Sequence, residues 1–117
     1  MKRILIVDDD TAYRSTIKKK LESVGYQTSE SASGEDALIY LKENASTISL
    51  ILLDITMPGM DGLTCYYKMK QLFEFDVPII ILTNSSISAY PSDIKDFIVK
   101  TDITLDQLVE KINGYFS

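Results

Sequence analysis

Arg3-Ile4-Leu5-Ile6-Val7-Asp8-Asp9-Asp10 sets a nearly unbroken apolar run directly against three carboxylates. An apolar run of this length, without polar alternation, reads as a strand covered on both faces, the kind found in the middle of a parallel sheet. Downstream, Tyr13, Ile17, Leu21 and Val24 recur at helical spacing, with Asp10 suited to the N-cap or the first turn and Gly25 to the C-terminal stop. Tyr26 to Glu30 is a weaker, more polar strand nearer an edge. Ala37, Leu38 and Leu41 mark a second helix entered near Ser33, and Leu50-Ile51-Leu52-Leu53 is another buried strand. Leu63, Tyr66, Tyr67 and Leu72 suggest a third helix after a loop containing Gly59 and Gly62. Val77 to Leu82 and Phe97-Ile98-Val99 are further strands. Thr104-Leu105-Asp106-Gln107 is a capping box that opens a last amphipathic helix through Leu108, Val109, Ile112 and Phe116.

Strands alternating with helices imply an α/β fold with a parallel sheet. Five such units in one domain over residues 1–117 predict a flavodoxin-like three-layer sandwich, strand order 2-1-3-4-5. Ligands then bind beyond the carboxyl ends of the strands. Composition narrows the chemistry. Hydrophobic residues make up 45% and charged residues 25%, which excludes a disordered chain and supplies enough apolar surface for a core. No apolar run approaches a membrane span. The single Cys65 excludes an internal disulfide and fits a reducing cytoplasm. The absence of His removes Ser-His and Cys-His catalysis and the commonest transition-metal ligand. A net charge of −5 argues against direct nucleic-acid binding, which needs a basic surface.

The strand ends carry the polar residues: Asp8-Asp9-Asp10 after the first, Asp54 after the third, Thr83 after the fourth, Lys100 after the fifth. In the expected order these four strands are neighbours, so their ends converge on one cleft. Carboxylates about 4 Å apart repel by several kcal/mol unless one is protonated or a cation binds. A hard divalent ion such as Mg²⁺, held by one or two carboxylates, waters and a phosphate, meets that need. Lys100 adds a point positive charge and Thr83 a hydroxyl donor. The set suits a phosphoryl group, with a carboxylate able to serve as acceptor.

Ile4 to Asp10, Leu52-Leu53-Asp54-Ile55-Thr56-Met57-Pro58-Gly59-Met60-Asp61-Gly62, Ile81-Leu82-Thr83 and Phe97-Ile98-Val99-Lys100 together resemble the receiver domains of bacterial response regulators. The resemblance covers nearly the whole chain, and its most specific part is the segment from Asp54 to Gly62. It implies that Asp54 accepts a phosphoryl group from the phosphohistidine of a partner histidine kinase or phosphotransfer protein. Asp9, Asp54 and the backbone carbonyl of Thr56 would bind Mg²⁺, with Asp8 acting largely through metal-bound water. Lys100 would pair with a phosphoryl oxygen and Thr83 would move in to bond another. Phe97 sits at the place of an aromatic switch, and Met57, Pro58, Gly59, Asp61 and Gly62 shape the adjacent loop. Such a protein is no general enzyme; it catalyses only its own phosphorylation and dephosphorylation, and regulates an unidentified output, with dimerisation open.

The sequence departs from the pattern in three places. Thr101 follows Lys100 where the family has proline in a cis bond, which predicts a re-set or more mobile Lys100 loop. Asn84 stands where a very small residue is usual and would narrow access to Asp54. The segment from Thr83 to Lys100 is short and contains Pro91, so the fourth helix is expected to be shortened or absent, replaced by a loop or one turn near Pro91. That leaves the chemistry complete but alters the surface around strands 4 and 5. The alternative is a pseudo-receiver that binds partners without phosphorylation. A haloacid dehalogenase-type phosphatase would need a second Asp where Thr56 stands, and a flavin protein a phosphate loop after the first strand.

Overall fold

The computed structural model of the chain describes residues 2–55, 62–72, 77–84, 94 and 96–117. Strands β1 (Arg3–Val7), β2 (Gln27–Ser31), β3 (Leu50–Leu53), β4 (Ile79–Thr83) and β5 (Asp96–Val99) alternate with helices α1 (Thr11–Ser23), α2 (Gly34–Asn44), α3 (Gly62–Gln71) and α4 (Leu105–Phe116). The sheet is parallel with order β2-β1-β3-β4-β5, as the alternation predicts.

Period-two alternation sorts the buried strand residues onto two faces. Ile4, Ile6, Leu50, Leu52, Ile80 and Leu82 pack with Ile17 and Leu21 of α1 and Leu108, Val109 and Ile112 of α4. Leu5, Val7, Ile51, Leu53, Ile79 and Ile81 pack with Ala37 and Leu41 of α2 and Cys65, Tyr66 and Met69 of α3. Both faces of β1, β3 and β4 are therefore covered, which is why these strands read as continuous apolar runs. β2 and β5 lie at the edges and are less buried. An ion pair from Lys111 to Asp96 (2.8 Å) and the Tyr115 hydroxyl bonded to the same carboxylate tie α4 to β5. These bonds outweigh the effect of burial and hold the Asp96 carboxyl below its usual range.

Local signals fix the helix ends. Asp10, Ser33 and Thr104 are the N-caps of α1, α2 and α4, and Thr104 with Gln107 completes the expected capping box. Gly25 has φ +101°, the left-handed conformation that stops α1. Some boundaries shift. Val24 becomes the C-cap of α1 and is exposed rather than inward-facing. β4 starts at Ile79 because Pro78 has no N–H for the ladder, although its carbonyl accepts the Ile51 N–H at 3.0 Å. α3 turns Cys65, Tyr66 and Met69 inward and leaves Tyr67 exposed. Burial raises the Cys65 thiol to about 11, so it is a packed thiol with little thiolate at neutral pH.

The expectation of a loop or single turn near Pro91 falls on residues 85–93 and 95, outside the described residues. Lys100–Asp102 form a 3₁₀ turn directly after β5, and no cis peptide occurs among the described residues.

Gly62 shows why a glycine stands at the start of α3. A Cβ there would fall inside the backbone and side chain of Ile55, the residue after Asp54. Gly62→Ala is expected to destabilise the fold by roughly 1–3 kcal/mol and to shift the Asp54 amide resonance, since Ile55 must move. A chemical-denaturation midpoint and an amide spectrum matching the parent protein would refute this.

Candidate functional site

The ladder register brings the polar strand ends together. Val7 pairs with Leu53, Leu53 with Ile81, and Ile81 with Phe97. The next residue on β1 and β3 is an aspartate. The Asp8 N–H donates to Ser31 O (3.1 Å) and the Asp54 N–H to Val7 O (2.9 Å), so both backbones are held by the sheet. Lys100 leaves the end of β5 and reaches back across β4. Its Nζ donates to Asp8 Oδ2 at 2.6 Å and to Asp54 Oδ2 at 3.3 Å. The three side chains are only 7% (Lys100), 4% (Asp8) and 2% (Asp54) exposed, so these are desolvated charges.

Carboxylate oxygens of Asp8, Asp9 and Asp54 all lie within 4.8 Å of one another, with Asp9 on the open side. Three negative charges against one ammonium leave a formal excess of two. Burial pushes the Asp8 carboxyl above its usual range; the Asp54 charge adds to this, and bonds from Lys100 and the Asp10 N–H only partly oppose it. For Lys100, burial favours the neutral form, but Asp8 and Asp54 outweigh it and hold the ammonium above its ordinary pKa. An all-oxygen donor set with two surplus negative charges fits a divalent hard cation such as Mg²⁺.

Thr83 is fully buried, and its Oγ1 has no hydrogen-bond partner among the described residues. Such an orphan costs roughly 1–3 kcal/mol unless a ligand or a rotation satisfies it. Phe97 is half-buried against the α2/α3 side of the core. Asn84 is exposed. Gly62 opens α3, whereas Thr56, Met57, Pro58, Gly59 and Asp61 lie outside the described residues. The structure thus brings Asp8, Asp9, Asp54 and Lys100 into one group. Thr101 does not prevent Lys100 from reaching it.

Two residues of α1 belong to this site and were not singled out from the sequence. Arg14 Nη1 donates to the Asp8 carbonyl (2.6 Å), and its Nε donates to Glu30 Oε1 (3.1 Å). Tyr13 places its ring centroid 4.1 Å from Lys100 Nζ. The signal was their position. An N-cap at Asp10 puts the first turn of α1 immediately beside the strand ends.

Comparison with known proteins identifies the family and the fold. Residues 4–113 match the profile of the response regulator receiver domain. The chain is 37% identical to chemotaxis protein CheY of Bacillus subtilis, over 95% of this chain and 94% of that protein. It is 33% identical to the probable transcriptional regulator ycf27 of Porphyridium aerugineum, over 93% of this chain but 41% of that protein. Against the first curated relatives it matches, the chain thus spans less than half of their length, 32% and 41%. Response regulator TrrA of Thermotoga maritima, solved with Mg²⁺-BeF, superimposes with a TM-score of 0.80 at 35% identity, covering 98% of this chain and 99% of that one. TrrA in complex with the histidine kinase ThkA superimposes with a TM-score of 0.83 at 33% identity, covering 100% of both chains. Among the described residues, no helix is long and apolar enough to cross a membrane.

Proposed function

The chain belongs to the response regulator receiver domain family, and from that premise we propose that it is a cytoplasmic phosphoryl-accepting switch in which Asp54 is the acceptor. The observation that carries the reading is the Lys100 ammonium bonded to both Asp8 and Asp54, with the Asp9 carboxylate in the same group. An Asp54 oxygen attacks phosphorus. The new O–P bond forms as the P–N bond of a phosphohistidine, or the P–O bond of a small donor, breaks and its electron pair leaves with the donor. The product is an aspartyl phosphate. No separate substrate is turned over; the protein catalyses only its own phosphorylation and hydrolysis.

Asp8, Asp9 and Asp54 would hold Mg²⁺, which screens the phosphoryl oxygens against the carboxylates. Lys100 orients and neutralises one phosphoryl oxygen, and it is already at the site without a conformational search. The unpartnered Thr83 hydroxyl is a donor for another oxygen, with Phe97, on β5 and packed against the α2/α3 side of the core, responding to its movement. The added charge of about −1.5 to −2 biases the surface around β4 and β5 between two states. A histidine kinase or phosphotransfer protein is the donor, by analogy with the TrrA complex; the output partner follows from the altered surface.

Treatment with acetyl phosphate and Mg²⁺ is expected to add the mass of one phosphoryl group, removed by hydroxylamine and blocked by EDTA. An unchanged mass under all conditions would overturn the switch and favour a module that signals by binding alone.

A further inference from the structure

We propose that Tyr13 is a positioning residue for Lys100, its ring face holding the ammonium over the acceptor site when the carboxylates are engaged elsewhere; this rests on the phosphoryl-accepting reading. The ring centroid is 4.1 Å from Lys100 Nζ, well inside cation–π range. The ammonium is nearly dry, with the side chain 7% exposed, and desolvation strengthens this contact.

The ring's place is fixed by backbone. The Tyr13 N–H donates to the N-cap carboxylate Asp10 Oδ1 at 3.1 Å, which locks the first turn of α1 against the end of β1. Tyr13 also closes, with Ile17, Leu52 and Leu82, a cavity of about 10 Å³ beneath Asp8 and Asp54. That space takes no more than one water. The ammonium therefore rests between two carboxylates on one side and an apolar, electron-rich face on the other.

In the resting site Lys100 has two strong anchors, Asp8 at 2.6 Å and Asp54 at 3.3 Å. A divalent cation held by these carboxylates would draw on the same negative charge and repel the ammonium, weakening both anchors. The ring carries no charge for the cation to claim. Among these three contacts to Lys100 it is the one that loading leaves intact, so its share in holding the lysine rises in the state that accepts phosphate. The competing reading is plain packing, since Tyr13 also adjoins the α1/α4 side of the core.

The test compares Tyr13→Phe, which keeps the ring, with Tyr13→Met, which keeps apolar bulk without it. In the full chain, the Lys100 ε-methylene protons are expected upfield by ring current in the parent and Phe proteins, and at ordinary shifts in the Met variant. Phosphoryl uptake from acetyl phosphate with Mg²⁺ is expected about 3- to 30-fold slower in the Met variant and within about twofold of the parent in the Phe variant. A folded Met variant with parental uptake, or a Phe variant as slow as Met, overturns the proposal. So does an ordinary ε-methylene shift in the parent, which needs no variant to fold. If the parent protein takes up no phosphoryl group, the switch itself fails, while the ring-current arm still decides whether Tyr13 seats Lys100.

Discussion

Asp54→Asn is expected to abolish phosphoryl uptake altogether while the protein stays folded. The side chain sits at the end of β3, 2% exposed, with its backbone N–H held by Val7 O at 2.9 Å. Asparagine keeps that shape and that backbone bond. Its amide offers no anionic nucleophile, so no acyl phosphate forms. The substitution also removes one of three crowded carboxylates, relieving repulsion in a site whose formal charge exceeds its counter-charge by two. Intact mass after treatment with acetyl phosphate and Mg²⁺ should show no adduct, and circular dichroism should match the parent. A D54N protein that gains a phosphoryl group at the parental rate would place the acceptor elsewhere.

Lys100→Met is expected to produce the largest loss of stability of any single change at the site. It strands two buried carboxylates that now share one ammonium at 2.6 and 3.3 Å. Removing one partner of a buried ionic group costs about 3–5 kcal/mol, far more than the loss of a surface pair, because the remaining charges lose their compensation. In metal-free buffer the unfolding midpoint should fall by on the order of 10 °C. Saturating Mg²⁺ should restore much of this, since a ligand bound only by the folded state at about 100 times its Kd contributes about 2.7 kcal/mol. Phosphoryl uptake should fall by about a hundredfold, the usual cost of one lost donor to a developing oxyanion. Scanning calorimetry with and without Mg²⁺ decides the matter. A K100M protein as stable as the parent without metal would mean that the ammonium does not neutralise this group.

Much of this architecture could be read from the chain because its causes are local. β1, β3 and β4 are apolar on both faces, and only a doubly covered sheet needs that. Asp10, Ser33 and Thr104 cap helices through bonds spanning three residues. Asp8, Asp54 and Lys100 were legible for a related reason: each directly follows a strand, buried for Asp8 and Asp54 and an edge strand for Lys100, and parallel topology brings such ends together. What stayed hidden depends on phase or on contacts distant in sequence. Tyr66 and Tyr67 are adjacent, and nothing in a ten-residue helix says which turns inward. Tyr13 has the spacing of an ordinary core residue, and its role appears only when Lys100, from the turn directly after β5, arrives over its ring. Arg14 reads as a surface charge until the Asp8 carbonyl is found at 2.6 Å.

Fluorine NMR of beryllofluoride, a mimic of the phosphoryl group, addresses most directly whether these carboxylates and the ammonium hold a cation and a phosphoryl group together at Asp54. With Mg²⁺, distinct bound resonances should appear, vanish on adding EDTA, and be missing in Asp54→Asn. Bound resonances that persist unchanged without Mg²⁺, or in the D54N protein, would contradict a site built around that pairing, as would their absence from the parent protein with Mg²⁺ present.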